Sequence, residues 1–264
     1  MHFYLLPFIG FLIGLLVTLI GGGGGIFYVL LLTIFYKVDM PTAVSTSLAT
    51  IIPTTFVASI SHHRSGNLRL KKGIYPLIGG VIGAAGGALL TTVFVDAVLR
   101  RIFGMFMLIM GVLVYKGVIK QARHNKQVPG PDGKSESTKK REITNKEYLA
   151  STGYGVLGGI MAGMLGLSGA PPIVTGLYLL GNSAVEVIGT SVFVVLGISC
   201  VGLSTHLALG QVNWFLVEML AIGTTAGAFI GPKFLKFVDT AKLEKYYSPV
   251  FFIMAVSIGL ILLF

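Results

Sequence analysis

The stretch Leu19-Ile20-Gly21-Gly22-Gly23-Gly24-Gly25-Ile26-Phe27-Tyr28 breaks an apolar run with five consecutive glycines. A second break, Gly166-Leu167-Ser168-Gly169-Ala170-Pro171-Pro172, lies 144 residues further on, counting from Gly22 to Gly166. The apolar flanks of the first break are short. Residues 7–20 supply about 21 Å of helix and 26–36 about 16 Å, and neither comfortably crosses a hydrocarbon core of ~30 Å. Irregular backbone at membrane depth is tolerated only where protein or a water-filled cavity satisfies its polar groups. Short, interrupted segments at matching places in two halves of a chain therefore point to a transport site.

Composition supports the membrane reading. Of 264 residues, 54% are hydrophobic and 11% charged, and the mean hydropathy is +0.85. A soluble domain carries about 25% charged residues, so a soluble globule and bulk disorder are both excluded. The single cysteine, Cys200, excludes an internal disulfide or a dithiol pair and is expected to be a small buried residue. The start, Met1-His2-Phe3-Tyr4, has no Lys or Arg before the first apolar run. It is read as the first membrane segment rather than a removed signal peptide.

Apolar runs fall at 3–20, 26–36, 41–61, 73–95 and 97–118, and again at 149–165, 169–181, 184–206, 213–235 and 241–264. The fold expected is an all-α integral membrane protein of two repeats, about five segments each: 1–120 and 148–264, joined by a polar, basic linker at 121–147. Sliding the chain by 144 residues superimposes the halves without a gap. Thr46-Ser47 falls on Thr190-Ser191, His62 on His206, and Gly14, Gly22, Gly25, Gly66, Gly79, Gly83 and Gly87 all fall on glycines.

Charge sets the expected topology. Residues 116–147 hold nine Lys/Arg and four acids, hence five of the ten net positive charges. Nucleic-acid binding is a poor account of them, and a cytoplasmic loop a good one. If each half crosses an odd number of times, the linker, the loop with Arg64, Arg69, Lys71 and Lys72, and the loop with Lys233, Lys236, Lys242 and Lys245 share one side. That side then holds 17 of the 20 Lys/Arg, leaving Lys37, Arg100 and Arg101 opposite. An odd count makes the repeats inverted and puts both termini outside the cytoplasm.

The candidate substrate-binding residues are Gly22, Gly23, Gly24 and Gly25 at the first break, and Gly166, Ser168, Gly169 and Ala170 at the second. Helix starts present N–H groups with positive partial charge, and glycine lets a ligand approach the backbone. Seven residues into segment three, at about 10 Å depth, come Thr46-Ser47 and, in the second half, Thr190-Ser191. These hydroxyls are expected to converge with the breaks near the midplane, where hydroxyl and amide donors suit a small oxyanion. The bland alternative is a hydroxyl bonded to its own helix one turn back. Glu186 and Glu218 are candidate coupling acids, both near segment ends where a solvated carboxylate is ordinary. His62 and His206 are expected at the membrane interface, with Asn67 and Gln211 as polar caps.

Together GGGGGIF at 21–27, AVSTSL at 43–48, GLSGAPP at 166–172, VIGTSV at 187–192, HHRSGNLRLKKG at 62–73 and HLALGQVNW at 206–214 resemble the TauE/SafE family of sulfite exporters. The resemblance covers nearly the whole chain outside the linker. It implies a multi-pass plasma-membrane carrier that exports sulfite or organosulfonates. The first glycine cluster of the family is usually followed by proline, where this chain has Phe27 and Tyr28.

The reading is thus secondary transport by alternating access. The expected partners are the lipid bilayer, a small anion and a coupling proton or cation, with no cofactor, no metal and no enzymatic activity. Two alternatives stand beside it. One is a passive anion channel. The other is an intramembrane serine protease built on Gly166-Leu167-Ser168-Gly169 and His206, although Gly24 replaces Ser168 in the first repeat.

Overall fold

The computed structural model describes residues 3–20, 24–125, 144–235, 256–257 and 259–263. Gly22, Gly23, most of the linker, Lys236, Lys242 and Lys245, and most of the tenth segment lie outside the described residues.

The described chain is helical. A 3-10 turn at Phe3–Leu5 leads into α1 (Leu6–Ile20). Then come α2 (Gly25–Leu30), extended by a π-helical turn at Leu31–Phe35, α3 (Met40–Arg64), α4 (Leu70–Val93) and α5 (Asp96–Asn125). Beyond the linker lie α6 (Asn145–Leu165), α7 (Ala170–Leu179), α8 (Ala184–Ala208) and α9 (Trp214–Leu235). The bounds of α3 and α8 differ by the repeat offset at both ends, so the 144-residue slide relates elements as well as letters.

Local chemistry explains where these helices start. Asp39 accepts from Thr42 N at 3.0 Å, and Asp96 accepts from Met40 N at 2.6 Å, which satisfies the first amides of α3. Capping boxes open α6 at Thr144 with Glu147 and α8 at Ser183 with Glu186.

Among the described residues three helices are long and apolar enough to cross a membrane: Met40–Arg64, Leu70–Val93 and Val185–Ala208. Side-chain placement agrees with a lipid surround. On α4 the buried face is Gly73, Pro76, Gly79, Gly80, Gly83, Ala84 and Gly87, while Ile74, Ile78, Ile82 and Leu89 stand exposed. Large apolar residues outside and glycine inside invert the pattern of a soluble helix. Cys200, expected to be buried, is exposed on α8. In a membrane helix an apolar setting does not imply the interior.

Compactness divides the chain across its halves. One unit gathers Met1–Asp96 with Arg141–Phe234, and the other Ala97–Lys140 with Leu235–Phe264. In the second unit Gly104 of α5 meets Gly259, where an added Cβ would lie 2.9 Å from the carbonyl oxygen.

In the first unit α4 and α6 run parallel along a seam of glycines. A Cβ on Gly79, Gly83 or Gly87 would meet the carbonyls of Thr152, Val156 and Ile160. A Cβ on Gly155, Gly159 or Gly163 would meet those of Pro76, Gly80 and Ala84. Each set recurs every four residues, which keeps it on one helix face. The same partnership recurs with halves exchanged, since Gly223 and Gly227 of α9 face the carbonyls of Pro7 and Phe11 on α1.

Helices α3 and α8 lie antiparallel. Ser45, near the start of α3, donates to Gln211 O at 2.7 Å, beyond the end of α8. Gly189, its counterpart near the start of α8, packs on Asn67 O beyond the end of α3, where an added Cβ would lie 2.9 Å away.

Candidate functional site

The two breaks meet. Helix α6 ends at Gly166 in the left-handed region (φ 66°), and α7 starts after Gly169 in the same region (φ 65°). Helix α2 starts after Gly24 (φ 66°). L side chains resist this conformation, so glycine is what allows each helix to stop or start there. Gly25 packs against Gly166 O, with Ser168 N close by, and a Cβ on Gly25 would collide with that backbone. Gly166 in turn sits under Val29 and Val44. Gly24, Gly25 and the run 166–169 are all buried.

Ser47 of α3 joins the breaks. Its hydroxyl lies 2.8 Å from Gly166 O and 3.3 Å from Gly25 O. One hydroxyl has one proton to donate, so the nearer carbonyl holds it and the oxygen keeps its acceptor capacity. Ser47 is wholly buried.

The helix starts at the site differ in donors. At α2, Phe27 N and Tyr28 N donate to Gly24 O at 2.9 and 3.3 Å, so Gly25 and Ile26 carry the leading amides. At α7, Gly166 N and Leu167 N turn back to Ala162 O and Met161 O, and Ile173 N reaches Gly169 O at 3.5 Å. Between them Pro171 and Pro172 have no N–H, so the leading amides of this start are those of Ser168, Gly169 and Ala170. One turn into α2, the wholly buried Tyr28 hydroxyl faces Thr224 but has no hydrogen-bond partner in range among the described residues. Sequence reading marks Tyr28 only as standing where the family usually has proline, since only folding reveals an orphaned buried hydroxyl.

Other expected site residues lie elsewhere. Thr46 donates to Thr42 O at 2.7 Å, one turn back on its own helix. Ser191 donates to Ile188 O at 3.0 Å. Thr190 accepts from Arg69 N at 3.0 Å and packs on Gly73 at the start of α4. Gly24, Gly25, Ser47, Gly166, Ser168 and Gly169 are thus brought together, with Ala170 opening α7 beside them, while Thr46, Thr190 and Ser191 are engaged with other partners.

The two acids sit outside this cluster. Glu186 caps α8 through Ser183 N at 3.0 Å and holds Arg69 at 2.7 Å. Glu218 is exposed on α9. His206, expected at the membrane interface, is wholly buried. Its Nδ1 lies 2.6 Å from Gln211 Oε1 and its Nε2 2.9 Å from Gly163 O. With both ring nitrogens so occupied, His206 is a structural tie between α8 and α6 rather than a base for Ser168. No group of three or more His, Cys, Asp or Glu able to hold a metal occurs among the described residues.

The cluster thus gathers backbone amides with the buried hydroxyls of Ser47 and Ser168, and none of its named residues is charged. Comparison with known proteins places the chain among membrane transporters. The chain is 29% identical over 257 residues to the probable membrane transporter protein YdhB of Bacillus subtilis (strain 168), covering 96% of this chain and 97% of the relative. It is 26% identical over 281 residues to the probable membrane transporter protein YunE of the same organism, covering 98% and 96%. A probable membrane transporter protein of Xylella fastidiosa (strain Temecula1 / ATCC 700964) is 24% identical over 229 residues, covering 84% and 80%. No solved structure matches. Residues 6–258 match the description of sulfite exporter TauE/SafE, and the chain belongs to this family of membrane transporters.

Proposed function

We propose that the chain exports a small sulfur-containing anion, sulfite or an organosulfonate, across the plasma membrane by alternating access between two inverted repeats. The observation that carries this is the meeting of Gly25 with Gly166 at the Ser47 hydroxyl. Two helix breaks from opposite halves converge there, which is where inverted-repeat carriers hold their substrate. The antiparallel run of α3 against α8, and the exchanged glycine seams, support an inverted relation between the halves. The leading amides of α2 and α7 then face the anion, and Ser47 turns its hydroxyl from Gly166 O toward the ligand. The basic linker and the loop with Arg69 lie on the cytoplasmic side, and both termini outside it.

The test is thermal unfolding of reconstituted protein with sulfite, sulfate, thiosulfate, sulfoacetate, isethionate, acetate and chloride. A ligand at 100 times its Kd stabilises by about 2.7 kcal/mol. Stabilisation is expected from a sulfur oxyanion and not from acetate or chloride. Ser47→Ala should remove most of that response, while Thr46→Val, which alters a hydroxyl bonded to its own helix, should keep it. Equal responses to all seven anions, or none, would rule out the substrate class.

A further inference from the structure

The repeat offset sets two equivalent corners at opposite ends of the antiparallel α3–α8 pair in the first unit. At one corner, Arg69 Nε and Nη2 both lie 2.7 Å from Glu186 Oε1. Arg69 N donates to Thr190 Oγ1 at 3.0 Å, and Lys72 Nζ donates to Leu180 O at 2.7 Å and Gly181 O at 3.4 Å. Leu180 caps the C-terminal end of α7, where helix carbonyls carry partial negative charge and attract an ammonium. The segment ahead of α4 is thereby strapped to the end of α7 and the start of α8.

At the other corner the counterparts of Arg69, Lys72 and Glu186 are Asn213, Leu216 and Thr42, which cannot reproduce an ion pair. There a cleft of about 670 Å3 opens, lined by Tyr36, Lys37, Asp39, Thr42, Asn213 and Trp214 among others. Lys37 holds a left-handed backbone (φ 56°), a costly state for a residue with a side chain.

We infer that Arg69, Lys72 and Glu186 form the gate on the face with the basic loops, and that the cleft at Tyr36–Thr42 is the open mouth of the same pathway. This rests on the alternating-access reading above. Closing one mouth with charge while the other stays open makes the gate an element with two states. Glu186 acts as a latch rather than a proton carrier, since one oxygen caps α8 and the other holds Arg69.

The test places a cysteine beneath the gate. Val194 is buried on α8, close to Gly73 at the head of α4. Val194→Cys is made in a Cys200→Ala background, and a negatively charged methanethiosulfonate is added to inside-out vesicles. Glu186→Gln keeps a side chain that can cap α8 but removes the charge, and Lys72→Met cuts the second strap. Each change should speed labelling about fivefold, and the pair more. Labelling at the parental rate in the double variant, with unfolding temperature unchanged, would overturn the gate. If Glu186→Gln does not fold, Arg69→Gln with Lys72→Met serves for the same comparison. Labelling needs no substrate. Faster labelling with no anion transported would therefore leave the gate standing and remove the transport reading, whereas transport with unchanged labelling would do the reverse.

Discussion

Glycine does two different jobs in this molecule, and the seam between α4 and α6 can be set against the meeting of the breaks. In the seam, Gly79, Gly83, Gly87, Gly155, Gly159 and Gly163 have ordinary helical backbone, and what matters is the absent Cβ, because the facing carbonyl occupies its place. At the breaks, Gly24, Gly166 and Gly169 have positive φ, and what matters is conformation. Close packing of this kind gains van der Waals and Cα–H···O contacts that lipid cannot supply. The breaks are close-packed too, with Gly25 on Gly166 O and Gly169 on Gly158 O, but they add to it the left-handed turns that end one helix and start the next.

The largest effect should come from the seam. Gly159→Val drives a branched side chain into Gly80 O and Ala84 N, which are backbone and cannot move aside. It should cost about 3 kcal/mol or more, seen as loss of folded protein in thermal unfolding. An intermediate effect should separate strain from crowding. Gly210 has φ 68° with nothing near its missing Cβ, whereas Gly166 has φ 66° with Val29 Cγ2 at 2.7 Å and Val44 Cα at 3.0 Å. Gly210→Ala should cost about 1 kcal/mol from strain alone, and Gly166→Ala clearly more. Equal costs would mean that crowding at the break is relieved by the valines. The smallest effect should be favourable. Gly86 and Gly153 are helical, outside the seam and open around the missing Cβ, so Gly86→Ala should stabilise by about 0.5–1 kcal/mol.

Much of this architecture could be read from letters. The offset of 144 predicted paired breaks, and α3 and α8 do begin and end with that spacing. Ser47 was legible as a polar residue at the depth of the break. Its neighbours were not separable from it, because depth along a helix leaves azimuth open. Thr46 is one position and about 100° away, and that rotation turns it to its own helix. Thr190 and Ser191 share the motif but meet different neighbours. In sequence, Arg69 and Lys72 signal only topology, since their partners on α7 and α8 are set by tertiary structure. His206 misled for a related reason. An imidazole among apolar residues suggests an interface, yet Gly163 O and Gln211 allow it to be buried.

The exchanged seams bear on how the chain is made. Helix α1 leaves the ribosome about 200 residues ahead of its glycine-lined partner α9. At ordinary synthesis rates that interval is on the order of 10–40 s, during which a helix too short for the bilayer lacks the glycine face it packs on. Half of this chain made alone would have nowhere to lay its first helix.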